Sequence, residues 1–191
     1  MRRRWLALML PLALLGQTGC GYNTIQTYEE RVDAAQGQIE VALQRRADLV
    51  PNLVETVKGF AKQENEVLTN VTRARAGLVG ALGRPGGTSP QELAQANAEL
   101  STALGRLNSF VVEAYPELRS NENFLRLQDE LVGTENRIAT ARTDYNQSVE
   151  QYNGYIRRFP QTLTARMTGA KAREYFQVTD EANRAPPEVK F

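Results

Sequence analysis

Apolar side chains recur along this chain at alternating intervals of three and four residues, the spacing that places them on one face of an α-helix. From Ile25 they run through Tyr28, Val32, Ala35, Ile39 and Ala42 to Leu49 and Leu53. No stretch shows the two-residue alternation of a strand. After Leu53 the stripe resumes one residue out of phase through Val57, Phe60, Val67, Val71, Ala74 and Leu78, and Pro51 sits at the slip. Proline lacks an N–H and disfavours helix in the residue before it, so the first run is expected to divide near Asp48–Pro51. Five glycines between Gly77 and Gly87 predict a loop. Ser89-Pro90-Gln91-Glu92 then combines an N-cap serine, a proline at the first helical position and a glutamate that closes a capping box. The stripe that follows, Leu93, Ala96, Leu100, Ala103, Leu107, Phe110 and Ala114, stops at Tyr115-Pro116. A last long helix is expected from Ser120 to about Phe159, with Phe124, Leu127, Leu131, Ile138, Tyr145, Val149, Tyr152 and Ile156 in heptad phase over roughly 60 Å. A short segment, Leu163 to Phe176, follows, and residues 177–191 read as a polar tail.

These lengths predict an all-α fold, an antiparallel four-helix bundle with long helices. Reversal near Pro51 gives four comparable segments that share one core and sets Ile39 against Phe60. In the alternative, a long kinked first helix packs on two further helices, and Ile39 and Phe60 lie roughly 30 Å apart.

Composition narrows the chemistry. The chain has 191 residues, 23 basic against 22 acidic, one cysteine and no histidine. Histidine general bases, histidine or cysteine-cluster zinc sites, Ser-His-Asp triads and structural disulfides are thereby removed. Near-neutral charge argues against a nucleic-acid partner, which needs a basic face. No catalytic, cofactor or metal residues are assigned.

The N-terminus changes the picture of where the protein works. Arg2 to Arg4 form a basic n-region and Trp5 to Leu15 an apolar core too short to span a bilayer, so residues 1–19 read as an export signal. Thr18-Gly19-Cys20 resembles the end of a lipobox, in which the cysteine sulfur receives lipid; Gln17 departs from the aliphatic residue usual there. Removal of residues 1–19 leaves 20 basic against 22 acidic residues. Cys20 is thus the expected lipid attachment point, with acyl chains rather than charge as the anchor. Residues 20–176 form the expected helical domain.

Three groups of polar residues fall at helical positions where a charge or amide needs explaining. Arg45, Arg46, Asp48, Pro51 and Asn52 cluster at the expected break, with Arg46 on the apolar phase; the structural explanation makes Asp48 a cap for the next helix and sets the arginines on the preceding carbonyls. Glu64 also falls on an apolar phase and is the one candidate general base or metal ligand. Tyr145-Asn146 and Tyr152-Asn153 repeat one heptad apart, which predicts a ladder of hydroxyls and amides that satisfy one another at the core edge. A small-ligand cavity beside the tyrosines is the other use of that face.

Read together, CGYN from Cys20, RRADLVPNLVETVKGFA from Arg45, RAR at Arg73, YPEL around Pro116, NFLRLQDEL from Asn123, GTENRIATAR containing Asn136 and Arg142, and YNQSVEQYN from Tyr145 resemble the LemA family of bacterial membrane-associated helical proteins. The resemblance implies a helical bundle in the bacterial cell envelope, with no established catalytic activity. It also implies that Arg45, Arg46, Asp48, Pro51, Asn52, Glu64, Pro116, Asn136, Arg142, Tyr145, Asn146, Tyr152 and Asn153 are structural or partner-binding. The expected protein is a non-enzymatic, lipid-anchored scaffold or adaptor facing the periplasm or exterior, attached to a membrane and serving an envelope protein partner. A carboxylate-dependent metalloenzyme and a small-ligand-binding module are the alternatives.

Overall fold

The computed structural model describes residues 2–61 and 65–177, with side chains described from Gly21 onward apart from that of Asn65. Its helices are α1 Arg2–Lys58, α2 Asn65–Leu82, α3 Pro90–Ala114, α4 Glu122–Ile156 and α5 Gln161–Thr168, with a 3-10 turn at Leu118–Ser120. Among the described residues there is no strand. The class is all-α, and the helices pack against one another as a bundle, as the periodicity predicts.

α1 and α4 form the long axis. The Tyr28 and Tyr155 rings lie 5.2 Å apart near one end, and Arg46 meets Glu135 roughly 27 Å further along α1, so the two helices run antiparallel. All eight apolar positions of the α4 heptad are buried, from Phe124 to Ile156. The capping box forms at the start of α3, where the Ser89 hydroxyl accepts from the Glu92 N–H. α2 and α3 pair with each other and lie against the second half of α1, making four helices there. Beyond them α1 and α4 continue alone as a two-helix arm, joined at its tip by α5.

The reversal near Pro51 does not occur. α1 passes through Pro51 to Lys58, and the chain turns at Gly59–Ala61, where Phe60 and Ala61 both donate to the Val57 carbonyl. Ile39 is buried and Phe60 exposed, on one rod and its end rather than on facing helices. Asp48 therefore caps nothing; it is exposed and accepts from the Gln44 amide at 2.8 Å. Two physical reasons keep the helix whole. The buried positions Ile25, Val32, Ile39, Arg46 and Leu53 are seven apart, and Leu43, Val50 and Val57 continue the same seam, so the heptad has no slip once Val50 replaces Leu49 as its core residue. Proline at 51 also frees only one acceptor, the Ala47 carbonyl four residues back. Arg75 Nε from α2 donates to that carbonyl at 2.7 Å.

The glycine-rich loop is shorter than composition predicts. Gly77 and Gly80 remain in α2 because Leu78 and Ala81 are buried in the core, and the loop spans residues 83–89. There Gly86 and Gly87 take φ of 89° and 85°, values that favour glycine, and the buried Thr88 hydroxyl donates to the Ala81 carbonyl to close the α2 end. α4 begins at Glu122, with Asn121 accepting from the Phe124 N–H, and ends at Ile156 rather than Phe159.

Arg75→Ala is expected to lower unfolding free energy by about 1–3 kcal/mol, the cost of a buried acceptor left bare, and Arg73→Ala, at an exposed position, by under about 0.5 kcal/mol. In a Pro51→Ala background, which restores the backbone N–H, Arg75→Ala should cost measurably less. Denaturant melts of the four variants test this; additive costs would mean that Arg75 and Pro51 do not act on one carbonyl.

Candidate functional site

Two polar nodes hold the helices, and the sequence-predicted residues divide between them. In the first, Arg46 projects from a core position of α1 and is 5% exposed. Its Nη1 donates to Asn97 Oδ1 at 2.6 Å and Ser101 Oγ at 3.0 Å on α3, and pairs with Glu135 Oε2 at 2.6 Å on α4. Burial pulls the guanidinium below its usual range, partly offset by Glu135, but arginine stays charged at neutral pH. Its Nε is buried without a partner. One residue on, the Ala47 carbonyl binds Arg75 of α2, so consecutive residues of α1 tie it to all three other long helices.

The second node lies on the arm. After α5, residues 171–177 run extended along the α1–α4 seam. Asn153 accepts from the Arg173 N–H and donates to its carbonyl, both at 2.9 Å. One heptad earlier, Asn146 accepts from the Phe176 N–H at 2.9 Å and donates to its carbonyl at 3.4 Å. The Tyr145 hydroxyl donates to the Glu174 carbonyl at 2.9 Å. Arg173 reaches Glu29 and Asp33 on α1, at 3.1 and 2.9 Å, and Phe176 is buried. The expected ladder of tyrosines and asparagines satisfying one another is corrected: the asparagines grip the backbone of this strap, as a neighbouring strand would. Burial pushes the Tyr145 hydroxyl up to about 12 and raises that of Tyr152, which has no hydrogen-bond partner.

The remaining candidates disperse. Pro51 and Asn52 are exposed on α1, and Pro116 is exposed in the turn after α3. Arg142 is exposed on α4 beside Ala139 and Gln177. Arg45 and Asn136 border an open groove of about 760 Å³ between α1 and α4, together with Gly37, Val41, Arg137, Thr140, Ala141 and Asp144. Neither buried tyrosine borders that groove. Glu64 lies outside the described residues, as does the Cys20 side chain. No three His, Cys, Asp or Glu side chains converge among the described residues. The periodicity and motifs do not single out Asn97, Ser101 or Arg173. The i, i+4 polar pair Asn97 and Ser101 beside the α3 stripe was the available signal.

The fold and its nodes define a helical bundle with a two-helix arm, cross-linked by buried polar contacts. The chain belongs to the LemA family, whose profile matches residues 35–191. It is 33% identical over 176 residues to the magnetosome protein MamQ 2 of Paramagnetospirillum magneticum, covering 82% of this chain and 64% of that protein. Identity to magnetosome protein MamQ of Magnetospirillum gryphiswaldense is 31% over 175 residues, covering 81% and 64%. Protein LemA of Metamycoplasma hominis is 26% identical over 137 residues, covering 72% and 60%. The chain thus spans a little under two thirds of the length of these curated relatives.

Arg46→Ala should destabilise the bundle by about 2–4 kcal/mol, since it opens a cavity and strands Asn97 and Ser101. Glu135→Gln, at a half-exposed position, should cost about 1 kcal/mol or less. Equal costs in thermal melts would contradict the assignment of Arg46 as the shared member.

Asn153→Ala should remove hydrogen-exchange protection from residues 171–176, while Asn136→Ala should leave it intact. For Tyr145, a folded-state value near 12 against 10.0 unfolded keeps its contribution to stability whole below pH 10. That contribution is lost as pH rises from 10 to 12, so Tyr145→Phe should be flatter than wild type across that window. Parallel alkaline profiles would show that this hydroxyl is not the titrating group.

Proposed function

We propose that this chain is a non-enzymatic scaffold or adaptor of the bacterial cell envelope, anchored to a membrane by lipid on Cys20, with its bundle on the periplasmic or outer side. The observation that carries the reading is where the polar chemistry goes. Arg46, Asn146 and Asn153, the most distinctive residues of the motifs, spend their hydrogen bonds on neighbouring elements of the same chain. An enzyme site directs such groups into a cleft. Family membership and the magnetosome relatives support an association with membranes. No helix among the described residues is long and apolar enough to cross a membrane. The basic n-region, the apolar run Trp5 to Leu15 and Thr18-Gly19-Cys20 supply a lipid anchor that does not require one. The adaptor role implies a protein partner in the envelope, to be identified by cross-linking in membranes.

A carboxylate-dependent metalloenzyme is the competing class. Stoichiometric metal in the purified chain, lost in Glu64→Gln together with a hydrolytic activity, would overturn the non-enzymatic reading.

Cys20→Ser is expected to abolish incorporation of a fatty-acid probe and to release the chain from the membrane fraction or leave it unprocessed. Labelling equal to wild type would contradict the anchor.

A further inference from the structure

Most exposed apolar side chains on this surface are single, which is ordinary. The tip of the arm is different. Phe159, in the turn between α4 and α5, is 80% exposed, and Leu163 and Met167, four residues apart on one face of α5, are 52% and 86% exposed. Ala165 between them is buried against the arm, so α5 is docked with its apolar face turned outward.

Charge at the same tip is mostly positive, although Glu150 borders one shallow pocket with Arg158 and Glu29 another with Lys171. Between Gln151 and Arg173 the chain carries Arg157, Arg158, Arg166, Lys171 and Arg173, with no aspartate or glutamate. Arg173 is occupied by Glu29 and Asp33. The other four are exposed and make no ion pair among the described residues. The first acid after Gly21 on α1 is Glu29, roughly 12 Å along the axis. On α4 the nearest is Glu150, roughly 9 Å before the helix ends.

Position supplies the third observation. A Cβ on Gly21 would lie 3.4 Å from Thr164 Oγ1, so α5 adjoins the residue that follows Cys20. An apolar triad interleaved along the chain with exposed cations, at the tip beside the N-terminal segment, fits one kind of partner, a bilayer surface with anionic lipid.

We propose that this tip lies on the membrane: Phe159, Leu163 and Met167 enter the headgroup boundary, and Arg157, Arg158 and Arg166 contact lipid phosphates. The inference rests on the membrane reading above and extends it, because an anchor alone leaves the domain free to tumble whereas this contact fixes the arm upright. The bundle end is then held away from the surface. The net charge of the exported chain, close to zero, conceals this local positive tip.

The test uses the full chain reconstituted in vesicles of phosphatidylglycerol and phosphatidylethanolamine. A genetically encoded environment-sensitive fluorophore replaces Met167 or, as control, the exposed Val132, roughly 36 Å from the end of α4. Nitroxide on the lipid headgroups should quench the Met167 probe several-fold more than the Val132 probe. The double variant Arg157→Glu, Arg158→Glu should bring the two closer while the chain still floats with the vesicles. Floating chain with equal quenching at both positions overturns the inference and leaves membrane attachment standing. Chain that does not float overturns both. A Met167 probe that reports an apolar environment without lipid quenching also overturns it, in favour of a second copy or another protein on the patch.

Discussion

One carbonyl decides the architecture. Pro51 deprives the Ala47 oxygen of its helical donor, and a bare acceptor in the middle of a packed helix costs about 1–3 kcal/mol. Arg75 fills the position from a different helix, and because it does, α1 runs on to Lys58 without a break. The consequences spread outward from there. An unbroken α1 keeps its heptad seam in phase, the seam turns Arg46 into the core, and Arg46 in turn requires the polar partners that α3 and α4 supply. Buried charges are poor contributors to net stability but strong constraints on register, since every alternative packing leaves the charge unpaired. The bundle is therefore specified at one level, where two consecutive residues of α1 reach α2, α3 and α4.

What was legible in the sequence, and what was not, follows the range of the interactions involved. The α4 heptad, the Ser89 capping box and the end of α3 at Tyr115-Pro116 are local, and their residues carry the whole signal. Pro51 misleads for the same reason: its local effect is to break a helix, and the donor that cancels that effect is Arg75, 28 positions from the Ala47 carbonyl it satisfies. Gly77 and Gly80 read as loop by conformational entropy, but burial of Leu78 and Ala81 outweighs it. The pairing of Tyr145-Asn146 with Tyr152-Asn153 was visible as a repeat, whereas its object was not. Asparagine amides can satisfy each other or a backbone equally well, and only the fold brings residues 173–176 alongside.

The same contrast shapes the functional picture. Motifs that look like a site on paper are, in three dimensions, fasteners: one joins four helices, the other straps the chain's later segment to the arm. A molecule built this way is long, one end a four-helix bundle and the other a narrow tip beside Gly21. Family membership supports an association with membranes.

The most direct test of the central claim, an α1 that continues through Pro51, is the distance between spin labels at the exposed positions Val41 and Lys58. A continuous helix separates them by 17 residues, roughly 26 Å along the axis. A chain that reversed at residues 48–51 would set them side by side on neighbouring helices, about 10 Å apart. A distribution centred near the longer value is what Arg75 and Ala47 predict, and one centred near the shorter would contradict the account.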